Sequence, residues 1–386
     1  MTIRCALSGP EIIAWFHVVV DSHCPPAMNC VILLLIGESR DFGEIAKMTF
    51  QNNSNNGIPE LPEFKGSSAF THDYPFDPSY GMILQQLLAI VPPEPPDDFA
   101  AFWKQRYEAA LTTAPQPHIE PNGSNMGGYV VHDLSYTSTG GVEIGGWPLI
   151  PADGKVSRGL VIGHGYGGRD APDEPLAMTE TAILFPCFRG MGRSPMGNVS
   201  QEPYYHVLHD IQDRNHYILG GCVDDLWLAV SVLLALFPQV SGRVGFSGIS
   251  FAGGIGSLAA AWDSRIQRLH LHVPTFGHHA LRLTLPCVGS GESVRDFQRQ
   301  HDFNLMETLA YYDAAAAASF LRIPTLVAAA LFDPAVPPPG QFAIYNAIPE
   351  NLRHLFLLEA GHFDYPRQQQ QIDEMNHELA RFLMEL

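Results

Sequence analysis

Residues 248–254 read GISFAGG, set between the apolar run RVGFS (243–247) and IGSLAAAW (255–262). The first run suits a buried strand and the second a helix, so one serine, Ser250, falls in the turn between them. Two readings are open. Small residues can simply let a strand and a helix pack closely at a corner. They can also form a nucleophile elbow, a strained turn that needs small residues two places before and two places after the serine. Gly248 and Ala252 meet that need, whereas Ser247 fails it because Ile249 stands two places beyond. At Ser250 the start of the helix would also favour a developing oxyanion.

Outward from this stretch, short apolar runs recur without alternation: 159–165, 181–188, 242–248, 268–274, 324–332 and 354–362. Runs of that length suit strands buried on both faces of a parallel sheet. Helical stretches separate several of them, at 216–236, 251–262, 338–348 and 366–385, which predicts a doubly wound α/β sheet. Ahead of it, VVHDLSYTSTGGVEIGGWPLIPAD (130–153) alternates about a Thr-Gly-Gly turn and predicts an antiparallel hairpin. DDFAAFWKQRYEAALTT (97–113) predicts an amphipathic helix with acids at its start and Phe99, Phe102, Trp103 and Tyr107 facing a core. The stretch 276–312 shows no clear strand and is a candidate cap insertion.

A serine nucleophile needs a base, and the base needs an orienting carboxylate. On doubly wound hydrolase sheets the chain order is serine, then acid, then histidine, with the site at the carboxyl ends of strands. Asp333 directly follows PTLVAAALF (324–332), and His362 closes HLFLLEAGH (354–362). Seventeen histidines dilute any argument from one of them; order and strand-end placement single out His362. Asp364 and Glu359 are also near, but Asp333 stands at its own strand end. Gly361 is read as leaving room for the imidazole to swing towards the serine. The glycine-rich loop HGYGGR (164–169) follows an earlier strand, so the backbone N–H groups of Tyr166 and Phe251 are the candidate oxyanion hole.

Other chemistries find little support. No G-x-G-x-x-G opens a helix, and no H-E-x-x-H or Cys/His cluster occurs, so neither an organic cofactor nor a metal is expected. The formal net charge of −18 argues against nucleic acid and against an anionic membrane surface. The composition, 46% hydrophobic and 16% charged, is that of a globular chain. Six cysteines without a C-x-x-C pair read as buried free thiols, which suits a reducing cytoplasm. By organisation, 1–47 reads as a poorly structured extension, of the kind a start codon assigned too early would add. Residues 48–95 form an irregular segment, and 96–386 the catalytic domain.

From about residue 96 onward the chain resembles the acetyl xylan esterase and cephalosporin C deacetylase family of α/β-hydrolases. The resemblance is carried by DDFAAFW, GHGYGG (163–168), FRGMGRS (188–194), GISFAGG, the long segment METLAYYDAAAAASFLRIPTLVAAALFDPAVPPPGQFAIYNAI (306–348) and EAGH (359–362). It implies the α/β-hydrolase fold, with Ser250 as nucleophile, Asp333 as acid, His362 as base, and the amides of Tyr166 and Phe251 as oxyanion hole. It also implies hydrolysis of acetyl esters of small or sugar-like alcohols through an acyl-enzyme, without a cofactor, and an oligomeric assembly. Arg189, in the RGMG turn, is expected to be an ion-pair partner. Phe251, Ala252 and Met191 depart from the family's pattern, where Gln, Gly and Gln stand. A greasier rim at the nucleophile, and a shift towards more apolar groups, is the expectation from those departures. The remaining readings are a carboxylesterase or peptidase for more apolar substrates, an acyltransferase on the same fold, and a non-catalytic binding protein.

Overall fold

The computed structural model describes residues 70–386 and, before them, only the backbone of four strands: β1 (Ile3–Gly9), β2 (Ile12–Val19), β3 (Val31–Leu35) and β4 (Ile45–Thr49). These pair antiparallel in chain order within a unit spanning Met1–Glu63. The side chains and connections of that stretch lie outside the described residues. The readings of 1–47 as an extension, of 48–69, and of Cys5, Cys24 and Cys30 turn on them.

The second unit, Phe64–Leu386, is built on a nine-stranded mixed sheet. Its strands are β5 (His118–Met126), β6 (Tyr129–Thr137), β7 (Glu143–Pro151), β8 (Arg158–Gly163), β9 (Thr181–Pro186), β10 (Val244–Ile249), β11 (Ile266–His272), β12 (Thr325–Ala330) and β13 (Arg353–Leu358). The order across the sheet is β13-β12-β11-β10-β8-β9-β7-β6-β5. From β8 to β13 all the pairings are parallel, and the runs expected as buried strands are those strands. The expected hairpin is β6–β7, turned through Thr139–Gly141. Strand β5 extends it and was not foreseen, because HIEPNGSNM is polar and mostly exposed, leaving no alternation to read.

Six longer helices accompany the sheet among the described residues: α1 (Phe99–Ala110), α2 (Ile218–Leu236), α3 (Phe251–Ala260), α4 (Ser290–Gln300), α5 (Pro338–Ala347) and α6 (Gln368–Leu383). One apolar cluster gathers α1, α2 and α3, with Phe99, Trp103 and Trp227 fully buried. A second joins Leu379, Phe382 and Leu383 of α6 to Leu160, Ile183 and Leu326 of the strands. Helix α2 is long and apolar enough to cross a bilayer by length and composition, yet most of it is enclosed by the domain. Chain direction decides where a site can form. From β8 the chain first places β9 on one side, then returns to place β10 on the other. At such a reversal the loops leave the carboxyl ends of neighbouring strands in opposite directions and open a crevice.

Candidate active site

Ser250 lies at that reversal, between the end of β10 and the start of α3. Its backbone sits at φ 53°, ψ −106°, a conformation that costs a non-glycine residue on the order of 1–3 kcal/mol. The surroundings hold it there. The Ser250 N–H donates to the carbonyl of His272 at 2.8 Å, and its own carbonyl accepts from the amides of Thr275 and Gly254, each at 3.1 Å. Gly248 must lack a side chain, since a Cβ there would stand 2.5 Å from the Ala252 carbonyl oxygen. Packing corner and strained turn are therefore one object: the close approach is what bends the chain at the serine.

The loops after β12 and β13 bring Asp333 and His362 to this turn. Asp333 is fully buried. Its Oδ1 accepts from the amides of Ala335 and Val336 at 2.9 Å each, and its Oδ2 from Gln341 Nε2 at 3.0 Å. Gln341, also fully buried, is itself fixed by bonds to the Val336 carbonyl and the Ala330 amide. His362 Nδ1 lies 2.9 Å from Asp333 Oδ2, and its Nε2 lies 3.0 Å from Ser250 Oγ. With Nδ1–H donating its hydrogen bond to the carboxylate, Nε2 is left to accept from the serine hydroxyl. Burial opposes charge on this imidazole, but the Asp333 carboxylate outweighs it and holds the His362 pKa above its usual 6.5. One expectation is corrected. A Cβ at Gly361 would stand 2.4 Å from Asp333 Oδ2, so the glycine makes room for the carboxylate, not for a swinging imidazole.

The chain before residue 96 also shapes this side. The Phe70 ring packs 5.1 Å from Phe332 and 5.6 Å from Phe363, the neighbours of Asp333 and His362, and the Asp333 amide donates to the Pro78 carbonyl at 3.1 Å. The reading of the sequence gave this segment no part in the site. A signal existed in FTHDYPF (70–76), where aromatic rings stand at every second position.

On the other side of Ser250, the loop after β8 carries Tyr166. The amides of Tyr166 and Phe251 donate to no acceptor among the described residues. Gly165 lies so close that a Cβ there would be 3.9 Å from Ser250 Cβ. The side chain of Phe251 is not at a rim. It is fully buried, with ring centroids 4.3 Å from Tyr166, 5.4 Å from Phe188 and 5.9 Å from Phe276. Ala252 and Met191 are buried too. The expectation of a greasier rim is thus overturned, because the first residue of α3 turns its side chain under the elbow into the core. The exposed apolar residue beside the serine is Ile249, 40% accessible.

The Tyr166 hydroxyl donates to His206 Nδ1 at 3.3 Å, and His206 Nε2–H donates to the Arg189 carbonyl at 3.0 Å. His206 is fully buried, and burial pushes its pKa down to about 4, so it stays neutral in this role. Arg189 is the ion-pair residue expected of it: Nη2 and Nε grip the buried carboxylate of Asp225 at 2.7 and 3.0 Å. The stretch 276–312 is helical, and Tyr204, beside His206, hydrogen-bonds Asp296 of α4 at 3.1 Å. His270 and His272 stand on β11; His270 pairs with Ser247 at 2.9 Å, beneath the site and buried. Among the described residues, Cys187, Cys222 and Cys287 are free and buried, and no group of three or more His, Cys, Asp and Glu side chains is placed to hold a metal.

A family profile described as acetyl xylan esterase (AXE1) matches residues 80–380. The acetyl xylan esterase of Paenibacillus sp. R4 superposes with a TM-score of 0.66 at 23% identity, over 77% of this chain and 99% of that one. Acetyl xylan esterase 1 of Thermoanaerobacterium sp. JW/SL YS485 gives 0.67 at 19% identity, over 79% and 98%. The acylaminoacyl peptidase of Pyrococcus horikoshii gives 0.51 at 12% identity, over 99% of this chain and 49% of that one. At these identities the superpositions speak to the fold, and the family profile speaks to kinship.

Proposed function

The chain belongs to the acetyl xylan esterase family of α/β-hydrolases, serine carboxylic ester hydrolases, and from that membership we propose that it cleaves short-chain, acetyl-type esters of small or sugar-like alcohols through Ser250, His362 and Asp333. The observation that carries the proposal is the unbroken chain Asp333–His362–Ser250, with contacts of 2.9 and 3.0 Å, ending on a serine in a strained turn. In this reading His362 Nε2 takes the hydroxyl proton as Ser250 Oγ adds to the ester carbonyl, forming the Oγ–C bond. The carbonyl π electrons move to oxygen, which accepts from the amides of Tyr166 and Phe251. Collapse breaks the bond to the alcohol oxygen, and His362 returns the proton to it. Water then repeats the sequence on the acyl-enzyme and releases the acid. Asp333 keeps the imidazole in the productive tautomer and stabilises its charged form.

The test is hydrolysis of p-nitrophenyl acetate, butyrate and octanoate by the wild type and by Ser250→Ala. We expect turnover that falls from acetate to octanoate, and a loss on the order of 10⁶-fold in kcat in the variant. Activity that survives the substitution would sink the assignment of Ser250, and a preference for octanoate would sink the acetyl-type substrate.

A further inference from the structure

Of the residues that flank Ser250 in the elbow, all but one withhold their side chains from it. Gly248 has none and has no room for one, and Phe251 and Ala252 are fully buried under the turn. Ile249, directly before the serine, is the exception, with 40% of its surface accessible. A Cβ at Gly248 would run into Ala252 of α3, so strand alternation turns Ile249 to the opposite face, away from that helix. The position is rigid. Ile249 closes β10 in register with His272, the last residue of β11, and the next amide, that of Ser250, donates to the His272 carbonyl at 2.8 Å. A β-branched side chain is also stiff at χ1, so Ile249 presents a fixed apolar surface.

The neighbours of Ile249 belong to the reacting centre. On one side, His272 occupies the paired position on the same face, half-buried and within reach of the His362 charge. Burial, and after it His362, pushes the His272 pKa down to about 4, so the wall it shares with Ile249 is uncharged. On the other side lies β8, paired with β10 as far as Gly163 with Gly248. Two residues further on, in the loop that carries Tyr166, a Cβ at Gly165 would stand 3.9 Å from Ser250 Cβ. Ile249 therefore stands between the strand end nearest His362 and the loop of the candidate oxyanion donors. In the proposed reaction the acyl group is bonded to Ser250 Oγ from the first addition until water releases it, whereas the alcohol departs in the first half. The acyl group is thus the part of the substrate tied to the residue next to Ile249 through both halves.

We propose that Ile249 is the residue that sets acyl specificity: its side chain walls the site beside Ser250, so that an acetyl group fits and a longer acyl chain is obstructed. This rests on the esterase reading above. The test is kcat/KM for p-nitrophenyl acetate, butyrate and octanoate, which share one alcohol, in the wild type, Ile249→Ala and Ile249→Trp. Ile249→Ala should raise the ratio of butyrate to acetate about tenfold or more, the scale on which an apolar pocket discriminates single methylenes. Ile249→Trp should lower the same ratio; should it not fold, Ile249→Ala decides by itself. A ratio that Ile249→Ala leaves unmoved or lowers overturns the proposal, and so does an equal loss on all three esters, which a merely structural role would give. A wild type that favours octanoate overturns it too, since no limit is then left for Ile249 to set. In these cases turnover that Ser250→Ala abolishes leaves the esterase reading standing. Absent wild-type turnover, or turnover that survives Ser250→Ala, fails that reading and the proposal with it.

Discussion

On one side of Ser250 the loops after β12 and β13 place charge: a fully buried Asp333 that accepts from two amides, from Gln341 and from His362. On the other side the loop after β8 and the first turn of α3 place two backbone amides above a cluster of rings, with Tyr166 and Phe251 4.3 Å apart. The side proposed for acid–base work is specified by side-chain polarity, and Asp333, Gln341 and His362 each have hydrogen-bond partners there. The half proposed to hold the oxyanion is specified by shape, and the donors it would offer are backbone amides. A substitution in the first half changes protonation; a substitution in the second changes position. The oxyanion half nevertheless rests on a buried charge pair, since Tyr166 leans on His206, His206 on Arg189, and Arg189 on Asp225.

The sharpest way to break this contrast is Asp333→Asn. It keeps the shape of the acid loop and removes the charge, so kcat should fall on the order of 10⁴-fold. The pH profile should move as well. In the proposed mechanism His362 must be neutral to accept the serine proton, and its pKa is raised, so kcat/KM should fall with decreasing pH through a value above 6.5. Without the Asp333 charge only burial acts on the imidazole, and the acid limb of the residual activity should shift downward. An unshifted limb would mean that another group sets it.

Asp225→Ala probes the buried pair beneath the other half. Removing one partner leaves Arg189 buried and uncompensated, which should lower stability by about 3–5 kcal/mol in denaturant titration. Activity in the folded fraction should fall in kcat with little change in KM, because the oxyanion donors and not the substrate contacts are displaced. The smallest effect is expected from Phe251→Leu, a change of shape alone. It should cost about 1–3 kcal/mol of stability and leave the ratio of acetate to butyrate turnover unaltered, since the ring does not face the substrate. A changed acyl preference would return Phe251 to the rim.

Much of this was legible in the chain. Unbroken apolar runs marked β8 to β13, and the positions of Ser250, Asp333 and His362 at strand ends followed from chain order. Such features are local or depend only on sequence, and a buried strand must be apolar wherever it is placed. What could not be read were directions and partners. Local sequence allows the side chain after the serine to face either solvent or core, and only the packing of Tyr166, Phe188 and Phe276 around it sends Phe251 inward. Asp224 and Asp225 interrupt an apolar helix with no local reason; Arg106 and Arg189, far away in sequence, supply it.

By itself, then, the sequence determined a doubly wound sheet and which three side chains its strand ends present, because periodicity and turn chemistry are properties of neighbouring residues. Tertiary structure alone decided that Gly361 yields space to a carboxylate, that residues 70–81 pack against the neighbours of Asp333 and His362, and that Arg282 is buried without a counter-ion among the described residues. Each of those is a contact, or a missing contact, between residues that only the folded chain brings together.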